Sequence, residues 1–353
     1  MSAREAPSVD FGRQVWVLRG PRHGLRIDVR AVWVGALLLA ASLMIGVLGL
    51  VSGELPLTLA EVWRAFAGTG DDFTTTVVLE WRLPRVLSAI VFGAALGASG
   101  AVFQSLTRNP LASPDILGFS AGAYTGALIV IIVLGGGYLA VAGGALIGGL
   151  GAAALVSLLA FRGGLQGFRL IIVGIAVSAM LSSVNTWLTL TADLETALVA
   201  AVWGAGSLNG ITWQQAGTGS LLVALLLVCT LLLARPLRQL ELGDDAAQAL
   251  GVRVERTRLL LMLVSVGLIA VVTAAAGPIA FVALAAPQIA RRVARSPGVS
   301  VPLAALMGSA LLTASDYAAL HAFPAMLPVG TVTVVFGGVY LLWLLVHEAR
   351  RRP

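Results

Sequence analysis

Ten stretches of predominantly apolar residues dominate this chain, most of them near the roughly 20 residues that a helix needs to cross about 30 Å of hydrocarbon. They run over 31–51, 83–106, 117–134, 138–160, 170–190, 217–234, 258–276, 278–290, 299–320 and 328–346, the eighth being the shortest. Of the 353 residues, 58% are hydrophobic and 11% charged, which leaves too little polar surface to coat a soluble fold. The pattern predicts an all-α polytopic membrane protein. A tail over 1–30 precedes a ten-helix domain over 31–346, and a short tail over 347–353 follows it.

The chain has no lysine, so its 23 basic side chains are all arginine. Cytoplasmic loops are biased toward positive charge, and with both termini inside, 20 of the 23 lie on the inner side. Only Arg64, Arg82 and Arg85 fall outside, among Glu54, Glu61, Asp71, Asp72, Glu80, Asp193 and Glu195. The basic balance therefore reflects topology and anionic inner-leaflet lipid rather than nucleic acid. The first apolar run, 21 residues behind a 30-residue arginine-rich tail, is too long on both counts for a cleaved signal peptide and reads as a retained helix. The single cysteine, Cys229, excludes an internal disulfide or a Cys-x-x-Cys site.

Several function classes are disfavoured. Ion-coupled transporters and membrane enzymes place ionisable groups within their spans, and here Asp316 is the main exception, near the outer end of the ninth. His23, His321 and His347 lie at ends or in tails, and no His-Glu-x-x-His or Ser-His-Asp set suggests chemistry or a metal. A Walker A loop needs a lysine, so any ATP belongs to a partner. Runs such as Gly93 to Gly100 and Gly143 to Gly151 mark surfaces on which helices in lipid approach closely.

Four segments carry more information. Trp81-Arg82-Leu83-Pro84-Arg85 reads as the start of a helix with two guanidiniums on one face, where the helix dipole disfavours cations. They serve either to dock carboxylates from outside or to snorkel toward headgroups. Gln104 to Asp115, with Arg108, Asn109, Pro110 and Pro114, breaks the helix and reads as a structured re-entrant turn or an ordinary loop. Ser178, Ser182, Asn185 and Thr189, at spacings of 4, 3 and 4, form a polar stripe that lines a route or glues helices together. Leu242 to Val252 frames a short amphipathic helix between Asp244 and Gly251, suited to a groove on a cytoplasmic partner or to a solvated surface.

Together these segments resemble the permease subunits of ABC importers for iron-siderophore complexes, haem and cobalamin, the FecCD-type family. The resemblance runs from about Trp81 to Arg352 through R-L-P-R, G-A-x-L-x-x-S-G, Q-S-L-T-R-N-P-L-A-S-P-D-I-L-G-F-S-A-G-A, L-G-D-D-A-A-Q-A-L-G-V, A-G-P-I-A-F-V-A-L-A-A-P-Q-I-A-R and L-P-V-G. The endings A-P-Q-I-A-R-R and G-G-V-Y-L-L-W-L-L-V-H-E-A-R-R-R look most like the ferric enterobactin branch, which implies ferric siderophore cargo, with haem or cobalamin as alternatives.

The resemblance implies two ten-helix permease subunits (a heterodimer favoured), two cytoplasmic ATPases carrying ATP and magnesium, an external binding protein, and residence in the bacterial cytoplasmic membrane. It implies that Arg82 and Arg85 receive acidic side chains of the binding protein. Leu242, Gly243, Asp244, Asp245, Ala247, Leu250 and Gly251, within a coupling helix over about 240–252, are implied to fit into the ATPase. The inner gate of cobalamin-carrying members corresponds to Gln166, Gly167, Phe168 and Arg169, which replace small hydroxyl residues there. A further basic docking position falls on Leu320, with His321 beside it. No bond chemistry, metal or cofactor is expected of this chain. A secondary transporter and a membrane enzyme remain rival readings, and a purely structural scaffold would leave the arginine pair and the coupling-like helix without a role.

Overall fold

The computed structural model describes residues 15–19, 24–115, 117–160 and 167–349. Two antiparallel strands open it, β1 (Val15–Arg19) and β2 (Gly24–Asp28), with Val15 opposite Asp28. The sequence reading treats this segment as a plain tail, although G-L-R-I-D carries the alternation of a strand and V-W-V-L is a short apolar run. Asp28 then accepts hydrogen bonds from the Arg30 and Ala31 N–H groups and starts α1 (Val29–Val51), satisfying donors that a helix N-terminus otherwise leaves bare.

Beyond α1 lie two helices too short for the apolar pattern to announce, α2 (Leu59–Phe66) and α3 (Asp72–Thr76). From α3 the chain runs through one wide π-helical turn, Val77–Arg82, into α4 (Leu83–Thr107), giving a single 36-residue helical stretch from Asp72 to Thr107. This corrects the expected helix start at Arg82-Leu83-Pro84-Arg85, because the cap is Asp71, which accepts from the Thr74 N–H. Pro84 has no N–H to give the preceding turn, and the widened turn just before it relieves the clash that a proline ring makes inside a helix.

The remaining helices are α5 (Phe119–Leu128), prolonged by a second π-helical turn to Leu134, α6 (Tyr138–Ala160), α7 (Gly167–Thr191), α8 (Leu194–Gly204) and α9 (Trp213–Leu232). Then follow α10 (Ala234–Glu241), α11 (Asp244–Ala249), α12 (Val254–Ala276), α13 (Val282–Ala294), α14 (Val301–His321) and α15 (Val329–Ala349). Among the described residues, seven helical stretches are long and apolar enough to cross a membrane, and Phe119–Leu134, Leu194–Gly204 and Val329–Leu344 are shorter apolar helices. The expected stretch 278–290 is shifted by four residues at each end, to Val282–Ala294. Gly277, at φ 72 and ψ 179, adopts backbone that is essentially reserved for glycine, and Pro278 follows it. The helix therefore resumes only at Val282 and is about 20 Å long.

The main core gathers Phe92 and Leu96 of α4, Leu261 and Leu268 of α12, and Leu312 of α14, all fully buried. Its helices approach through small residues. A Cβ on Gly93 or Gly97 would run into the backbone of Gly308 or Ala304 on α14, and Gly122 and Gly126 of α5 meet Gly148 and Gly144 of α6 in the same way. With lipid on the outside there is little hydrophobic gain from bringing helices together, so close backbone contact supplies the attraction through dispersion.

Candidate functional site

Chemistry-bearing side chains collect at the two ends of the rod formed by α3 and α4. At the end near Asp71, a cavity of about 770 Å³ opens between α1, α4 and α14, lined in part by Trp81, Arg82, Arg85, Trp213, Asp316 and Tyr317. The two arginines do not share one face. Arg82, half-buried, turns toward the end of α1, donating from Nη1 to the Leu50 carbonyl at 2.7 Å and from Nη2 to the Leu55 carbonyl at 2.6 Å. Arg85 turns to α14, donating from Nε (2.9 Å) and Nη2 (2.8 Å) to the two carboxylate oxygens of Asp316. Their side chains are only 14% and 7% exposed, so Asp316, an isolated intramembrane charge in the sequence, is the counter-ion of Arg85.

One turn beyond Asp316, His321 stacks on Tyr317 with ring centres 4.3 Å apart, and its Nδ1–H donates to the Tyr317 carbonyl at 2.9 Å. The ring itself is exposed.

At the other end of the rod the chain breaks into a turn between α4 and α5 that is held on two sides. Arg108 ends α4 in the left-handed region at φ 50, uncommon for a residue with a Cβ. Its Nη2 donates to the Leu240 carbonyl (2.8 Å) and to Asp244 Oδ1 (3.1 Å). Arg258 of α12 donates to the same carboxylate at 2.9 and 3.1 Å. Asn109 Oδ1 accepts the Leu111 N–H, closing the turn locally.

On its opposite side the turn is bonded to α13. Gln104 donates to the Leu284 carbonyl, and Gln288 donates both to Gln104 Oε1 (2.7 Å) and to the Pro110 carbonyl (3.1 Å). Asp115 accepts from Ser120 at 2.7 Å, and Phe281, which precedes α13, is left-handed at φ 68. An irregular backbone among helices must find such partners within the protein. Gln288, Arg258 and Phe281 had not been singled out in the sequence, although Gln288 is the only amide in the apolar run A-L-A-A-P-Q-I-A.

The short helix expected between Asp244 and Gly251 is present as α11, which begins at Asp244 with Gly243 (φ 115) as the residue before it. Leu242 and Leu250 are 68% and 56% exposed, and Asp245 is exposed beside them. Ala247, expected on the partner-facing side, is instead wholly buried against the bundle. Gly251, at φ 84, closes the helix, with its N–H on the Gln248 carbonyl and the Val252 N–H on the Ala247 carbonyl, the pairing of a Schellman stop.

The α7 stripe is divided. Asn185 is buried, accepting from Thr125 of α5 at 2.6 Å and donating to the Ala121 carbonyl at 3.3 Å, while Thr189 bonds back to the Asn185 carbonyl. This face is helix-to-helix glue. Ser178 packs its backbone near Gly118, and Ser182 is exposed. Of the gate positions, Gln166 lies outside the described residues, and Gly167 and Phe168 stand in the first turn of α7.

The sequence profile of the FecCD transport family matches residues 37–347. This chain belongs to the FecCD transport family. It is 51% identical over 317 residues to the ferric enterobactin transport system permease protein of Escherichia coli K12, covering 90% of this chain and 96% of that one. It is 39% identical over 323 residues to the achromobactin transport system permease protein of Dickeya dadantii, covering 89% and 90%. Its fold resembles that of a transporter described as of the metal-chelate ABC type in an inward-facing conformation, with a TM-score of 0.79, 27% identity and coverage of 90% and 99%. In this FecCD chain the Q-S-L-T-R-N-P-L-A-S-P-D run is the turn that bonds α4 to α13 on one side and to α10 and α11 on the other.

Proposed function

We propose that this chain is the transmembrane permease subunit of an ATP-binding-cassette importer that moves ferric siderophores across the bacterial cytoplasmic membrane by alternating access. The observation that carries this reading is the 51% identity, over 90% of the chain, to a ferric enterobactin permease protein. All ten apolar stretches cross the membrane and both termini are cytoplasmic, a topology supported by the 20 of 23 arginines that it places inside. The end of the rod bearing Arg82 and Arg85 is then external.

A binding protein loaded with ferric siderophore docks over that outer cavity. Its carboxylates meet Arg82 at the rim, with His321 nearby on α14, while Arg85 acts from beneath through its clamp on Asp316. Two cytoplasmic ATPases bind ATP and magnesium and engage α11 through Leu242, Asp245 and Leu250. A second permease subunit, in a heterodimer, completes the path, and residues 166–168 stand at its inner gate. The chain supplies path and coupling, and hydrolysis belongs to the partners.

The test is ATP-dependent uptake of radiolabelled ferric siderophores by proteoliposomes holding this chain with its neighbouring permease, ATPase and binding protein. Uptake of ferric enterobactin that Arg82→Glu abolishes, with the ATPase still assembled, is the expected result. A fully assembled wild type that takes up no ferric siderophore overturns the cargo assignment.

A further inference from the structure

We infer that Asp244 is the positioning residue through which movement of the ATPases reaches the membrane helices, acting as one carboxylate shared by guanidiniums from two of them. The inference rests on the importer reading above and concerns how its two ends communicate.

Three observations converge on Asp244. First, its carboxylate points back into its own chain rather than toward a partner. Arg108, from the end of α4, and Arg258, from the second turn of α12, both donate to it, and it sits at the positive end of α11, where a carboxylate is favoured. Second, α11 has few other ties to the bundle. It is six residues long, Ala247 is its one buried side chain, and Leu242 and Leu250 on either side are exposed apolar groups. A push on those leucines is therefore resisted chiefly at Ala247 and at the ion pairs. Third, each cation is fixed to a long element. Arg108 ends the rod, about 35 Å along it from Arg85, and its left-handed backbone is held by its own bond to the Leu240 carbonyl. Arg258, with a side chain 13% exposed, is set into the bundle.

The charge count sharpens the point. Two guanidiniums share one carboxylate, so neutralising Asp244 leaves two cations side by side with their common counter-ion removed. Neutralising one arginine removes a single arm. Among the described residues, Asp244 is therefore the position whose loss removes both arginine ties of α11, to α4 and to α12, at once.

The experiment pairs a structural readout on the purified chain with a transport readout on the full assembly. In the chain alone, Asp244→Asn raises amide exchange in residues 108–115 and in the first turns of α12, whereas Asp244→Glu restores protection. Arg108→Gln loosens only the former segment and Arg258→Gln only the latter. In the assembly with ATPases and binding protein, Asp244→Asn lowers siderophore uptake per ATP hydrolysed by about fivefold or more, the scale of an ordinary coupling between sites, and Asp244→Glu recovers most of it. Unchanged exchange in both segments overturns the shared-carboxylate role. Raised exchange with an unchanged ratio of uptake to hydrolysis overturns the coupling role. Failure of the importer reading shows separately, as a wild-type assembly without ATP-dependent uptake, while the exchange arm still decides whether Asp244 binds the two helices.

Discussion

Arg85 and Asp316 lie 231 residues apart in the chain and meet as a two-pronged ion pair, Nε to Oδ2 at 2.9 Å and Nη2 to Oδ1 at 2.8 Å, joining α4 to α14 at the edge of the cavity that both line. Both side chains are largely buried, and removing one partner of such a pair leaves an uncompensated charge. Asp316→Ala is expected to destabilise the chain by about 3–5 kcal/mol. The double variant Arg85→Met/Asp316→Leu should lose less than either single change, because an apolar pair of similar volume replaces buried charge at little net cost. Thermal unfolding in detergent measures all three. A near-neutral Asp316→Ala would return Arg85 to the role of a free docking cation.

The glycines divide by what stands opposite them. Gly97 faces the Ala304 backbone, so a methyl there must push α4 and α14 apart, whereas Gly143 has open space around it. Gly97→Ala is expected to cost about 1–3 kcal/mol, and Gly143→Ala to be neutral or to gain up to about 1 kcal/mol from reduced backbone entropy in the unfolded chain. The difference in unfolding midpoint between the two variants tests whether packing across the α4–α14 crossing, rather than glycine content, holds the bundle.

Much of this arrangement is legible from one sequence because lipid imposes a strong rule. Apolar runs near 20 residues mark helices, and prolines beside Asn109 and Asp115 mark a break. What stayed hidden is pairing across distance. The lone Asp316 and the out-of-place Arg85 were each conspicuous, yet no local pattern says that they touch. The same holds for Gln104 with Gln288 and for Arg108 with Asp244, separated by 184 and 136 residues. A stripe that reads as one face can also have two environments. Asn185 and Ser182 sit one turn apart on α7, but only Asn185 meets α5. The start of the rod differs because R-L-P-R looks like a helix entrance, whereas the preceding π-helical turn carries the helix through the proline.

Asn185 gives a direct test of the glue reading. Its amide bridges α7 to the Ala121 carbonyl and to the Thr125 hydroxyl of α5, and such interhelical bonds in membrane proteins contribute about 0.6–1 kcal/mol. Asn185→Leu is expected to lower stability by about that amount, with Thr125→Ala in the same background adding little, since both changes remove the same bond. Additive losses from the two substitutions would separate Asn185 from Thr125 and restore the stripe as a candidate lining of the path.

The short helix α2 carries a pH dependence of its own. The Thr58 N–H and hydroxyl both donate to Glu61 Oε2 at 2.7 Å, and the Glu61 N–H donates back to the Thr58 hydroxyl at 3.3 Å. The backbone donor at Thr58, and then its hydroxyl, hold the Glu61 carboxyl below its ordinary value of 4.5. A carboxylate whose folded value is depressed stabilises the fold above its unfolded value and loses that contribution as pH falls through the folded one. Protection of the α2 amides, normalised for intrinsic exchange, should therefore stay level from neutral pH down to about 4.5 and decline below it. In Glu61→Gln it should be lower at neutral pH and flat across the same range, because the amide accepts the Thr58 bonds more weakly and does not titrate. A parallel decline in the Gln variant would assign the loss to another group and leave the Thr58–Glu61 cap without a role in it.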